Sequence, residues 1–302
     1  MLWLRSVQQF KLRYTTLLSD GDCKTFNVLQ DLKPYGEGVQ ILKEECVNHV
    51  SKRLGTAMRN LVKDQKKGGV VLGGRGKGKL TDRAMKSLQL YYTKAIRSNK
   101  TVEAMSQAVW ASFYHCSSTD SDPQHDFCPT GDKSWCFYKR AQARGLHPPR
   151  HEGNVTTPLC RPVHLKLKPV YERLADPELL RRCLRGKTQN ANESLHGVIW
   201  RRCPKTDFAS KEKVESATLV SVGEFNMGSV GGHCFLSAQG LTIGRNAEKL
   251  GKRRDMSRKS QSRRRATNNE AERRQAVTRA QAKERQKNFR AEGGTPYASG
   301  AF

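Results

Sequence analysis

Apolar side chains recur every three or four positions along most of this chain, and the pattern holds to about residue 228. Leu2, Trp3, Leu4, Val7 and Phe10 have helical spacing. Residues 12–18 are rich in strand formers and end at the acidic turn Ser19-Asp20-Gly21-Asp22. A helix is predicted over 24–32, stopped by Pro34 and by the glycines at 36 and 38. Val39-Gln40-Ile41-Leu42 reads as a second short strand, and Val47, Val50, Leu54, Met58 and Leu61 make 44–62 a helix. Strand, helix, strand, helix predicts α/β organisation with parallel strands.

Helical spacing returns over 81–97 (Ala84, Leu88, Tyr91, Tyr92, Ala95), with Thr81 as cap, and over 101–113 (Met105, Val109, Trp110, Phe113). The aromatics of these helices read as core. Another helix is predicted over 163–174, broken or bent at Pro169, and one after the cap and first-turn pair Asp176-Pro177. In Asn190-Ala191-Asn192-Glu193-Ser194, Asn190 can cap and Glu193 falls at the third helical position, ahead of Leu195, Val198, Ile199 and Trp200. A capping box accounts for Glu193 as it stands; a candidate catalytic carboxylate is the sharper reading. Residues 213–225 are the last amphipathic helix of the core.

Beyond Gly228 the pattern changes. Residues 245–290 carry Lys252-Arg253-Arg254 and Arg263-Arg264-Arg265 with few large apolar side chains, so a helix over 269–290 would be solvated on every face. The last ten residues are expected to be disordered. The whole stretch 229–302 reads as a basic, largely disordered tail, and its arginine runs as a nuclear-import signal or a DNA-binding arm. Poorly constrained sequence would read the same way.

Charge decides the class of partner. The 302 residues hold 55 Lys and Arg against 28 Asp and Glu, a formal net charge of +27. Such an excess implies a polyanion, and nucleic acid comes first because phosphate neutralisation drives its binding. No apolar run approaches the roughly 20 residues of a spanning helix, so a membrane partner is not expected. Met1-Leu2-Trp3-Leu4, interrupted by Arg5, is too short for a secretory signal core.

Nine cysteines, an odd number without the density of a disulfide scaffold, suit a reducing compartment. Cys116, His125, Cys128 and Cys136 supply thiolate and imidazole donors in the number zinc prefers, separated by turn-forming residues. Buried free thiols are the alternative reading. Residues 63–79 hold six glycines and a run of Lys and Arg. A basic surface loop is the default there. Gly73 and Gly78-Lys79 also match a phosphate-binding P-loop, but Leu80 stands where its magnesium-binding Ser or Thr belongs.

Three stretches in order resemble the Mutator-like DNA transposases, in their arthropod-type domain. They are Thr16-Leu17-Leu18-Ser19-Asp20-Gly21-Asp22, Phe113-Tyr114-His115-Cys116-Ser117-Ser118-Thr119-Asp120, and Arg185-Gly186-Lys187-Thr188-Gln189-Asn190, with Cys46-Val47-Asn48-His49 between the first two. The resemblance covers roughly residues 1–228. It implies an RNase H-like core similar to that of retroviral integrases, in which three acidic residues hold Mg²⁺ or Mn²⁺ ions for attack on DNA phosphodiesters. Carried over, Asp20 is the second acid, with Asp22 as runner-up, and Glu193 is the third. Cys46 and His49 match the family's Cys-x-x-His motif and would brace the site or touch DNA, as would Asn190.

The resemblance places a first acid on a strand upstream, yet no Asp or Glu precedes Asp20. The chain is therefore expected to be the C-terminal part of a catalytic domain. Residues 1–64 would be a partial RNase H-like core, 65–186 a helical insertion with the Cys/His cluster, and 187–228 the terminal core helices. The expected function is nuclear binding of double-stranded DNA without cleavage by this chain alone, and a homo-oligomer is compatible with it. A non-catalytic chromatin or RNA-binding protein and a P-loop nucleotide hydrolase are the competing classes.

Overall fold

The computed structural model of the protein describes residues 2–21, 24–265, 276–277 and 280. The chain divides into two compact units, Met1–Ala191 and Asn192–Phe302. The first holds α1 (Leu2–Phe10), β1 (Thr16–Ser19), α2 (Lys24–Leu32), β2 (Leu42–Glu45), α3 (Val47–Lys67), α4 (Asp82–Ser98), α5 (Val102–Ser117), α6 (Phe137–Ala143), α7 (Arg161–Leu174) and α8 (Pro177–Arg181). α9 (Asn190–Arg202) crosses the boundary, and α10 (Lys211–Gly231), α11 (His233–Ala238) and α12 (Arg245–Arg265) follow. The protein is mostly helical, with one small parallel sheet among the described residues.

That sheet is β1 paired with β2 in parallel, Thr16 opposite Leu42 and Ser19 opposite Glu45, with α2 as the crossover. Both strands lie later than their hydropathy predicts. β1 starts only at Thr16 because the amide of Tyr14 donates instead to the Tyr35 hydroxyl (2.8 Å), and the Tyr14 carbonyl accepts from Trp3 Nε1 (3.0 Å). β2 takes in Lys43-Glu44-Glu45 rather than residues 39–42. A charge at its buried end is tolerated because Glu45, 3% exposed, accepts a 2.6 Å bond from Arg53 on α3.

The core of the first unit is built from the predicted stripes. Val47, Val50, Leu54 and Met58 of α3 meet Leu88, Tyr92 and Ile96 of α4, Met105, Val109 and Phe113 of α5, and Val163, Leu167 and Tyr171 of α7. Burying each such side chain contributes about 1.5–3 kcal/mol. The helix starts are set locally. Thr81 Oγ1 accepts from the Ala84 amide (3.1 Å), Thr101 Oγ1 from Ala104 (3.2 Å), and Asp176 Oδ1 from Leu179 (2.9 Å). Loss of one such cap costs about 1 kcal/mol. The Tyr92 hydroxyl donates to the Leu174 carbonyl (2.8 Å), tying α4 to α7. α7 continues through Pro169 as one element, so it is not broken there.

In the second unit α10 is interrupted at Gly228 (φ 83°), a backbone state that favours glycine. The Asp255 carboxylate on α12 accepts from the amides of Ser229 (2.8 Å) and Val230 (3.1 Å), satisfying donors that the interruption frees. Those bonds hold the Asp255 carboxyl below its ordinary range. Within the stretch 229–302, expected to be largely disordered, residues 233–238 and 245–265 are helical. The helix expected over 269–290 and the disorder expected for the last ten residues fall almost entirely outside the described residues.

Candidate functional site

α5 ends in a cluster of imidazoles and thiols. One ligand atom from each of His115, His125, Cys128 and Cys136 lies within 4.8 Å of all the others. His115 Nδ1 is 3.3 Å from His125 Nδ1 and 3.7 Å from Cys128 Sγ. His125 Nδ1 is 3.7 Å from Cys128 Sγ and 3.4 Å from Cys136 Sγ. A tetrahedral zinc ion, ~2.3 Å from sulfur and ~2.0–2.1 Å from nitrogen, requires donor separations of roughly 3.3–3.8 Å. The donor set fits zinc in number and chemistry, and these four separations fall in that range. Three of the sequence-predicted ligands are here; the fourth is not. Cys116 belongs to the apolar core between the helices, where burial pushes its thiol up to about 12, and His115 takes its place.

The loop that carries the ligands is held by its own backbone. Ser134 Oγ donates to the Pro129 carbonyl (2.6 Å) and accepts from the Cys136 amide (3.1 Å), and the Cys128 amide donates to the His125 carbonyl (3.0 Å). The thiol of Cys136 is held far below its ordinary range, first by the hydrogen bond from Cys128, with His115 and His125 adding to it. The Cys128 thiol is correspondingly pushed up. Cys136 Sγ also accepts the Lys139 amide at the start of α6 (3.5 Å).

Behind the cluster runs a polar chain. His125 Nε2 is 3.0 Å from Ser118 Oγ, which is 2.7 Å from His151 Nε2, and His151 Nδ1 is 2.6 Å from Asp120 Oδ1. The Gln124 amide also donates to Ser118 Oγ (2.8 Å). One proton assignment satisfies every member. His125 donates to Ser118, Ser118 to His151, and His151 to the Asp120 carboxylate. It leaves the His125 Nδ1 lone pair for a metal, the usual way a buried polar partner orients a metal-binding histidine. The backbone and side-chain bonds from His151 hold the Asp120 carboxyl below its ordinary range. Sequence reading missed His151 and Asp120 as a pair, although Asp120 closes the motif that begins at Phe113.

The second candidate site lies at the carboxyl end of β1. Asp20 follows the strand directly, and its Oδ2 is 2.8 Å from Nδ1 of His49 on α3. Cys46, three residues earlier, is buried at the start of α3, and its sulfur accepts the Gln189 amide (3.4 Å). His49 holds the acid, while Cys46 holds the incoming chain. That chain is pinned further by Val47 N to Lys187 O (3.1 Å), Gln189 Nε2 to Leu18 O (3.2 Å) and Asn48 Nδ2 to Asn190 Oδ1 (2.8 Å). Beside Asp20 opens a groove of about 580 Å³ lined also by His49, Lys52, Arg53, Thr56 and Arg173. A carboxylate flanked by cations suits a phosphodiester backbone.

Glu193 sits exposed on the first turn of α9. Asp22 lies outside the described residues. Lys252, Arg253, Arg254, Arg263 and Arg264 are exposed on α12, and Arg265 ends that helix. No group of three or more His, Cys, Asp or Glu other than the His/Cys cluster comes together among the described residues. In the glycine-rich loop, Leu72 and Leu80 are buried against the core, and Gly78 (φ 84°) crosses so close to Cys160 that a Cβ would lie 2.9 Å from its Cβ. Chain crossing accounts for that glycine without a phosphate.

The first unit thus holds two candidate sites, an acid at a parallel strand end held by a histidine and a His/Cys cluster that could hold a metal. Residues 1–136 match the family model of the Mutator-like transposase. The match takes in Asp20, Cys46, His49 and all four cluster ligands and ends at Cys136, short of the residue 228 that the sequence resemblance reached. No curated protein and no solved structure matches the chain. No helix among the described residues is long and apolar enough to cross a membrane.

Proposed function

We propose that the chain is a zinc-braced, DNA-binding part of a Mutator-like transposase that acts in the nucleus on double-stranded DNA. The observation that carries this reading is the Asp20–His49 pair at the head of a cation-lined groove, inside the stretch that matches the family. Asp20 offers a hard carboxylate oxygen suited to Mg²⁺ or Mn²⁺, and by the family resemblance Glu193 offers another. When bound, such an ion activates a water or a DNA 3′-hydroxyl. Among the described residues no group of three or more such ligands includes Asp20. What the chain's own residues do is position. His49 fixes the Asp20 carboxylate, Lys52 and Arg173 offer charge to phosphates, and the exposed basic face of α12 adds sequence-independent affinity.

Cleavage is not proposed for these 302 residues by themselves, because among the described residues no group of three or more His, Cys, Asp or Glu forms around Asp20. The test is binding of the 302-residue chain to blunt duplex DNA across a salt series. Affinity should fall linearly on logarithmic axes, and replacing Lys52 and Arg173 by Ala should lower the slope by ~1 for each lost phosphate contact. Strands should stay intact in Mg²⁺ and Mn²⁺. Salt-insensitive or absent binding removes the nucleic-acid reading. Nicking that Glu193→Ala abolishes would show a working enzyme instead.

A further inference from the structure

Each thiol of the metal cluster is preceded in sequence by an exposed aromatic residue. Phe127, 41% exposed, stands before Cys128, and Trp135, 54% exposed, before Cys136. Neither ring is loose. Phe127 stacks on Tyr114 with centroids 5.4 Å apart and planes 10° from parallel, and Trp135 meets the ring of the ligand His115 edge-on at 4.9 Å. Holding Cys128 and Cys136 on a metal therefore also holds these two aromatic residues in place.

The two aromatics, together with α4 and α5, frame a cavity of about 740 Å³. Its lining has the makings of a specific site. Lys94 and Arg140 bring two cations and no Asp or Glu opposes them, while Gln107 and Asn154 bring side-chain amides. The Arg140 guanidinium is fixed by its bond to the Ser134 carbonyl (3.0 Å). Asn154 Nδ2 donates to the Arg150 carbonyl (2.7 Å), leaving its Oδ1 as an acceptor. Flat faces, amide edges and uncompensated positive charge together describe a ligand that is planar, hydrogen-bonding and anionic. A nucleotide of a DNA strand has all three properties, and only an unpaired base presents its faces.

We propose that this cavity takes one unpaired base of a frayed DNA end, stacked against Trp135, with the flanking phosphates neutralised by Lys94 and Arg140. The inference rests on the DNA-binding function proposed above and names a second, base-directed contact for it. Because Phe127 and Trp135 adjoin the metal ligands, the cluster's role extends from bracing the loop to shaping this cavity.

The experiment uses the full zinc-loaded chain and three DNAs at one salt concentration, read by fluorescence anisotropy. They are a blunt duplex, the same duplex with a three-thymine 3′ overhang, and the same overhang with abasic sugars. The thymine overhang should bind about tenfold tighter than the abasic one, within the range that base stacking on an aromatic ring supplies. Trp135→Ala should erase that difference and leave the blunt duplex unchanged, Trp135→Phe should keep part of it, and stripping zinc with a chelator should erase it as well. Equal binding of thymine and abasic overhangs overturns the proposal, and so does Trp135→Ala weakening all three DNAs alike. If the blunt duplex binds normally in those cases, only this inference falls. Binding to none of the three removes the DNA-binding reading with it.

Discussion

His115 and Cys116 are neighbours on α5, yet the histidine Nδ1 lies 3.7 Å from Cys128 Sγ while the cysteine is 3% exposed inside the apolar core. Successive helical residues project about 100° apart, so one of the pair faces the metal loop and the other the core. His115→Ala should reduce zinc from one ion per chain to a trace after mild chelation. Cys116→Ala should keep the full zinc content and cost about 1–2 kcal/mol of stability, the usual result of trimming a packed side chain. Elemental analysis and thermal unfolding of both variants decide it. Zinc retained in His115→Ala and lost in Cys116→Ala would reverse the assignment.

Asp120 reaches the cluster through His151, which lies against both Ser118 and His125. Asp120→Ala should leave all four ligands in place but free the His151 ring, so that His125 is oriented less well. Partners of this kind are worth roughly 10–100-fold in metal affinity. Competition against a chromophoric chelator should show that loss for Asp120→Ala and a smaller one for Asp120→Asn, which can still accept a hydrogen bond. Affinity equal to the parent in both variants would mean that the polar chain orients nothing.

His164 gives the fold a pH dependence of its own. Its ring stacks on Phe113 (centroids 4.3 Å apart) and its buried Nε2 has no hydrogen-bond partner. Burial lowers its pKa below 6.5, and Lys168 one turn along α7 adds to this while Asp122 opposes it. The folded chain therefore keeps His164 neutral where the unfolded chain takes up a proton. Its contribution is complete above pH ~6.5 and is lost as the pH falls through the depressed folded value. His164→Phe should keep the stacking and flatten the decline in stability below about pH 6.5. Denaturant unfolding at fixed zinc across that range measures it, and identical slopes for parent and variant would sink the idea.

Most helices were legible because their causes are local. Thr81, Thr101 and Asp176 cap the helices they precede, and the stripes from Val47 to Met58 and from Leu88 to Ile96 need only the helical period to be recognised. Three of the four side chains that could hold a metal were also legible, since those residue types and the turns between them lie in one short stretch. The basic excess follows from composition alone.

Tertiary structure decided the rest. A charged strand such as Leu42–Glu45 becomes possible only when Arg53, eight residues later, turns back from α3 to pair with Glu45. α12 looks unable to bury a face, and its attachment is made instead by Asp255 on two amides of α10 and by Gly251, where a Cβ would come within 3.0 Å of the His233 ring. No apolar stripe announces such an anchor. The exchange of Cys116 for His115 has the same origin. Sequence supplies adjacent ligand candidates, but which of them meets the loop depends on the rotation of α5 about its axis, and packing against α4 and α7 sets that rotation.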